Sequence, residues 1–172
     1  SPGFYSALES EEALLPQLAR HGVRFLGSAA RPALVALSLE ETVLAALRAS
    51  GVPRIFEALP ALLLVNADRL DWTTLVSGAY ALRLQNRLGM VLAAALQMKS
   101  RAKNVDEKVW AMFQDAHDTL AEARLDREEV VGPRPRTEEG LAFLKNRTPK
   151  WMRLWHGLSS ADLESFRRHL TR

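Results

Sequence analysis

Two stretches of this chain hold side chains whose types and spacing could do chemistry. In the first, Asp115 and Asp118 flank Ala116 and His117, and Glu122 follows. The spacings 115/118 and 118/122 put the carboxylates on one helix face, because residues three and four apart are neighbours there. A metal centre needs three or four ligands converging from more than one element. No second cluster of His, Asp or Glu stands at ligand spacing, so the strip reads as a solvated acidic face and no metal is expected. In the second stretch, Trp151 and Trp155 stand at i, i+4 beside Lys150 and Arg153, with His156 following. Aromatic rings among cations can stack on bases or hold a partner's apolar residue. The same rings can instead fasten the end of the chain to its body. Spacing alone leaves both readings open.

Catalytic chemistry finds little support. There is no cysteine, which removes disulfides, thiolate metal sites and cysteine nucleophiles. The small-residue neighbourhoods Gly27-Ser28-Ala29 and Ser77-Gly78 lack the strand-to-helix elbow of a G-x-S-x-G nucleophile. No phosphate-cradling glycine loop occurs, and the glycines stand singly, mostly where helices should stop. The expectation is a non-catalytic protein with no cofactor.

The formal net charge is +3, but it is spread unevenly. Residues 1–98 carry 8 basic and 8 acidic side chains, residues 99–130 carry 6 and 8, and residues 131–172 carry 9 and 4. The C-terminal quarter is therefore basic, and it either meets an acidic partner or phosphates or forms a solvated face. The candidate partner- or phosphate-binding residues are Arg134, Arg136, Lys145, Arg147, Lys150, Trp151, Arg153 and Trp155. Arg167 and Arg168 would join them on phosphates. No recognition helix stands out, so any nucleic-acid contact would fall on the backbone rather than on base edges.

The elements that must position these residues read as helices throughout. Leu and Ala dominate the apolar set, and both lose little on entering a helix. A first helix over about 6–21 stops at Gly22; Ser10, Glu11 and Glu12 could start its regular part, and Pro16 argues for a late start. Val23 to Leu26 is the best candidate for a short extended piece. Ser38 and Glu41 form a capping box for a helix to about Ser50, which Gly51 ends in a left-handed turn. Pro53 suits a first helical position, and Pro60 should kink or divide the helix that follows. Asp71 caps a helix starting at Trp72. The stretch from about Leu84 to Ser100 is apolar on most sides and is the candidate for the most buried element. A second capping box, Asn104 with Glu107, opens the longest helix, reaching about Leu125, with Val105, Val109, Met112, Phe113, Ala116 and Leu120 along one stripe.

Gly132-Pro133-Arg134-Pro135-Arg136 reads as an extended linker without apolar anchors. Beyond it, Thr137 caps a helix to about Asn146. Thr148-Pro149 opens a short helix carrying the tryptophans and closed by Gly157, and Ser159 or Ser160 caps a last one. The expected architecture is all-α: an irregular multi-helix bundle or solenoid-like helical domain over 6–130, then a basic helical unit over 137–172. No apolar run approaches the ~20 residues that span a bilayer, and no signal peptide is visible at the start given. A cytoplasmic protein without membrane contact is expected.

One region resembles a known family. Glu41 to Leu47, Leu59 to Leu63, Leu70-Asp71-Trp72 leading to Leu75, and Asn86-Arg87-Leu88-Gly89-Met90 follow in the order seen in the helical region of AbiE-type antitoxins and related transcriptional regulators. The resemblance covers about 39–96. It implies a bacterial regulator whose helical part supports antitoxin function, usually beside an N-terminal winged helix, which is not found before residue 38. It also implies that Gly89 lets two helices approach closely. The leading expectation is a regulatory or interaction module that binds a protein or nucleic-acid partner through its basic C-terminal region. The second is a homo-oligomerisation module using the helix 105–125 and the Trp151/Trp155 face.

Overall fold

A computed structural model describes residues 9–25, 32–33, 35–49, 51–159 and 161–170. Among them the chain forms α1 (Glu11–Arg20), α2 (Leu39–Arg48), α3 (Pro53–Val65), α4 (Trp72–Leu82), α5 (Gln85–Gln97) and α6 (Glu107–Glu122). There follow β1 (Glu129–Val130), α7 (Glu138–Arg147), α8 (Lys150–Arg153), β2 (Gly157–Leu158) and α9 (Leu163–Arg167). The mostly helical, multi-helix architecture is the expected one. The addition is a parallel pairing of β1 with β2, in register Glu129 to Gly157 and Val130 to Leu158.

Local chemistry starts most of these helices. Ser10 Oγ accepts the Ala13 N–H, so α1 begins at Glu11, one of the expected starts, but Pro16 lies inside it rather than in its first turn. At α2 both halves of the Ser38/Glu41 capping box form, satisfying two helix-end donors reciprocally. Pro53 occupies the start of α3, where its missing N–H costs nothing. Pro60 neither kinks α3 into two elements nor ends it; the helix runs on to Val65 with Ala58 to Leu64 all buried. Burial on nearly every side holds that segment helical against the lost hydrogen bond.

Other boundaries differ from expectation for identifiable reasons. Gly51 is not left-handed; α2 ends at Arg48 with Ala49 as its C-cap, and Val52 donates back to the Ala49 carbonyl. Val23 to Phe25 join no strand, although Val23 is buried, and Leu26 lies outside the described residues. Asn104 does not cap the longest helix. It takes a left-handed φ of 70°, and Asp106 caps instead by accepting the Lys108 N–H at 2.9 Å. The inward stripe of α6 then runs Trp110, Phe113, Ala116, Leu120, leaving Met112 exposed. Asp162 rather than Ser159 caps α9, while Ser160 lies outside the described residues.

α5 is the centre of the molecule. Every residue from Leu88 to Ala95 is buried, and α5 is packed against α3, α4, α6, α8 and α9. The segments on both sides of Gly132 share this apolar cluster: Met152, Trp155, Ala161 and Phe166 lie in it with Phe56 and Leu88. Val131, the residue just before the expected linker of 132–136, is buried. α7 is the exception, because none of its residues is buried.

Two of the caps carry a pH signature. Bonds from the Thr74 hydroxyl and N–H hold the Asp71 carboxyl below the usual carboxylate range, and the Ser165 N–H and hydroxyl do the same at Asp162. A lowered folded value means the unfolded chain takes up protons first. The stability these caps supply is therefore complete above the ordinary carboxylate range and is lost as pH falls through their lowered values. Glu57 works in the opposite sense, since burial raises its pKa. Asp71→Asn keeps the cap geometry without the charge. It is expected to flatten the acid limb of the stability curve between about pH 5 and pH 2. Urea midpoints measured across that range decide it, and equal acid slopes for the two proteins would refute it.

Candidate interaction surface

Both tryptophans of the C-terminal unit turn inward. Trp155 is 1% exposed. Its ring lies directly on α5 at Gly89, where a Cβ would overlap ring carbons Cζ3, Cε3 and Cη2. The close approach expected of Gly89 therefore exists, but what it admits is an indole. The indole N–H donates to His117 Nε2 at 3.3 Å, and the two rings meet edge-on at 5.1 Å. An indole nitrogen only donates, so His117 Nε2 is the bare acceptor and its Nδ1 carries the proton. That proton faces Asp118 Oδ1 at 3.1 Å. Bonds from His117 and Gln114 hold the Asp118 carboxyl below its ordinary range. Trp151 is half-buried and meets the buried Phe166 edge-on at 5.8 Å. Trp155 is thus withdrawn from the expected partner surface: its face and its N–H are both used in holding α8 and β2 to the body.

A buried polar frame, which sequence reasoning missed, orients the segment that leads to this unit. Asn86 is fully buried, and its amide imitates a peptide group. Nδ2 donates to the Leu125 carbonyl and Oδ1 accepts the Leu125 N–H, each at 2.8 Å. One residue on, Arg87 Nε donates to Glu129 Oε2 at 2.8 Å and Nη1 to the Leu47 carbonyl at 2.9 Å. The other oxygen of Glu129 accepts from Arg127 Nε, also at 2.8 Å. Glu129 opens β1, so the frame places the sheet and, through β2, the turn after α8. The available signal was the polar run Gln85-Asn86-Arg87 at the start of a helix that is apolar from Leu88 to Leu96.

The remaining expected site residues lie outside. Lys145, Arg147, Lys150 and Arg153 are exposed, and among the described residues none of the four pairs with a carboxylate. Arg147 sits over the Phe143 ring, 5.2 Å from its centroid. Arg134 differs, being engaged by Glu128, and Arg136 is exposed near the start of α7. Lys145 and Arg153 line an open cleft of about 470 Å³ whose other lining residues include Asp126, Arg127, Glu128 and His156. His156 takes a left-handed φ of 58° and turns the chain from α8 into β2. The structure thus brings Lys145 and Arg153 together and separates them from Trp155.

Neither the acidic strip nor the histidines assemble a metal centre. Among the described residues no group of three or more His, Asp or Glu side chains stands close enough to hold an ion. None of the described helices is long and apolar enough to cross a membrane. Compared with protein-family models, curated proteins and solved structures, the chain matches none.

Proposed function

We propose that this chain is a non-catalytic, cytoplasmic interaction module, of the kind found in antitoxin-like bacterial regulators, that binds a protein or nucleic-acid partner through its basic C-terminal surface. The observation that carries the reading is the set of four exposed cations, Lys145, Arg147, Lys150 and Arg153, without carboxylate partners. From Gly140 to Ala161 the chain contains no Asp or Glu at all. Exposed Arg48, Arg54 and Arg134, by contrast, are each paired with a glutamate. Unneutralised charge of one sign attracts a counter-charged partner and raises its rate of encounter. The resemblance of residues 39–96 to antitoxin helical regions supports a regulator.

The test is capture of partners from host lysate at low and high salt, with and without nuclease. Lys145→Glu with Arg153→Glu serves as control. Binding that falls steeply with salt and disappears in the double variant supports the reading. Equal capture by wild type and variant refutes it. The homo-oligomer reading retains one supporting observation. Exposed Met112 on α6 faces an open groove of about 410 Å³, shared with Trp72 and Val76 of α4. A strict monomer by light scattering at high concentration would remove it.

A further inference from the structure

The Trp155 indole N–H has a single acceptor among the described residues, His117, and the bond is possible in only one charge state of that ring. The N–H donates to Nε2 at 3.3 Å, while the proton on Nδ1 faces Asp118 Oδ1 at 3.1 Å. A proton added to Nε2 makes both ring nitrogens donors. The indole N–H then meets another N–H. Because Trp155 is 1% exposed, water has little access to replace the lost acceptor. Histidine is also the side chain whose charge ordinarily changes between about pH 5 and pH 8.

The direction of the effect follows from what docking alters. Asp118, and Gln114 that donates to its Oδ1 at 2.9 Å, sit on α6 with His117. They stay beside the imidazole whether or not the C-terminal segment is docked, so their pull on it cancels from the docking equilibrium. Of the other α6 carboxylates, Asp115 lines the groove toward α4, and Glu122 is five residues on. The docking elements carry bases only: Lys150 and Arg153 on α8, and His156 in the turn to β2. α5 has no titratable side chain from Leu88 to Gln97. Arg124, just past α6, donates to the Leu154 carbonyl at 2.7 Å and stays charged throughout. Docking thus brings His117 no carboxylate, covers part of its ring and uses its Nε2 lone pair. The last two favour the neutral imidazole.

We propose that the His117–Trp155 pair is a pH-sensitive latch, which holds the α8–β2 segment to the body while His117 is neutral and loosens it when Nε2 takes up a proton. Protonation and docking oppose each other, so docking weakens as pH falls and returns as it rises. Loosening uncovers the seat of the indole at Gly89 on α5.

Hydrogen exchange of the full chain at about pH 8 and about pH 5 reads the latch. Each rate is expressed as protection relative to unstructured peptide, so that the pH dependence of exchange itself drops out. Amides from Met152 to Leu158 should lose about tenfold in protection on acidification, the effect of a buried donor left unpaired. Those of buried Val91 to Ala94 on α5 should change less. His117→Gln offers the indole N–H a carboxamide oxygen and cannot titrate, so its C-terminal protection should be equal at both pH values. His156→Gln removes the other histidine of the region and should respond as wild type does. Unchanged wild-type protection overturns the proposal, and so does an acid loss that persists in His117→Gln. Should the glutamine fail to hold the segment even at the higher pH, NMR of the wild type decides. The Trp155 indole N–H and the His117 ring protons must then shift with one midpoint. An indole signal that stays put while His117 titrates overturns the latch.

Discussion

Replacing Trp155 by alanine is expected to lower the unfolding free energy by about 3–5 kcal/mol, the usual cost of emptying a fully buried large aromatic site. Three losses combine. The ring's contacts with α5 disappear, and the surface at Gly89 has no side chain of its own with which to close the gap. His117 Nε2 loses its donor. The turn between α8 and β2 loses the residue that holds it to the body. Since domains are stable by only about 5–15 kcal/mol, the loss is a large fraction of the total. Urea denaturation measures it. Hydrogen exchange gives the local signature: amides around Met152 to Leu158 should lose protection before those of α5. Trp155→Phe removes the bond to His117, worth about 1 kcal/mol, together with part of the six-membered ring that lies on Gly89, so its loss should fall between that of the bond alone and that of Trp155→Ala. Gly89→Ala approaches the same contact from the other side, forcing the indole outward at about 1–3 kcal/mol. A change under about 1 kcal/mol for Trp155→Ala, with C-terminal exchange unaltered, would show that docking does not depend on this residue.

How far such a contact is visible in a sequence depends on whether its cause is local. The Ser38/Glu41 box, the Asp71 cap and Pro53 at a helix start all act within four residues, and each was readable without the fold. The burial of α5 was readable from its lack of a polar side. The tryptophan pair shows the limit. Spacing of i, i+4 establishes that two rings share a side, but not whether that side meets the core or solvent. The deciding feature, a glycine on α5, is 66 positions earlier in the sequence. Asn104 and Asp106 show a second limit. Two cap-forming residues stood two apart, and only the left-handed turn that asparagine tolerates decided between them. The four cations of the candidate surface were all named from composition. Their lack of acid partners was not, because ion pairs such as Arg87 with Glu129 join residues 42 apart.

That ion pair makes the second large prediction. Glu129 has a side chain 3% exposed, bonded to Arg87, which is 20% exposed, and to Arg127, which is 41% exposed. Removing one member of a buried pair leaves a charge without its partner, typically at about 3–5 kcal/mol. Arg87→Met should fall near the lower bound, about 3 kcal/mol, because Arg127 still reaches the other carboxylate oxygen. The same substitution also leaves the Leu47 carbonyl without its donor. Removing both charges is a different experiment. In Arg87→Met with Glu129→Leu no carboxylate remains to be stranded, and half-exposed Arg127 can turn to water. The double variant should therefore be more stable than Arg87→Met alone, even though it carries one more substitution. That inversion is the decisive feature, because independent contributions would add and make the double variant the weaker. Urea denaturation of the two single variants and the double variant reads it directly. Simple additivity would mean that Arg87 and Glu129 are not coupled, and that β1 is held in place chiefly by Asn86 and the pairing with β2.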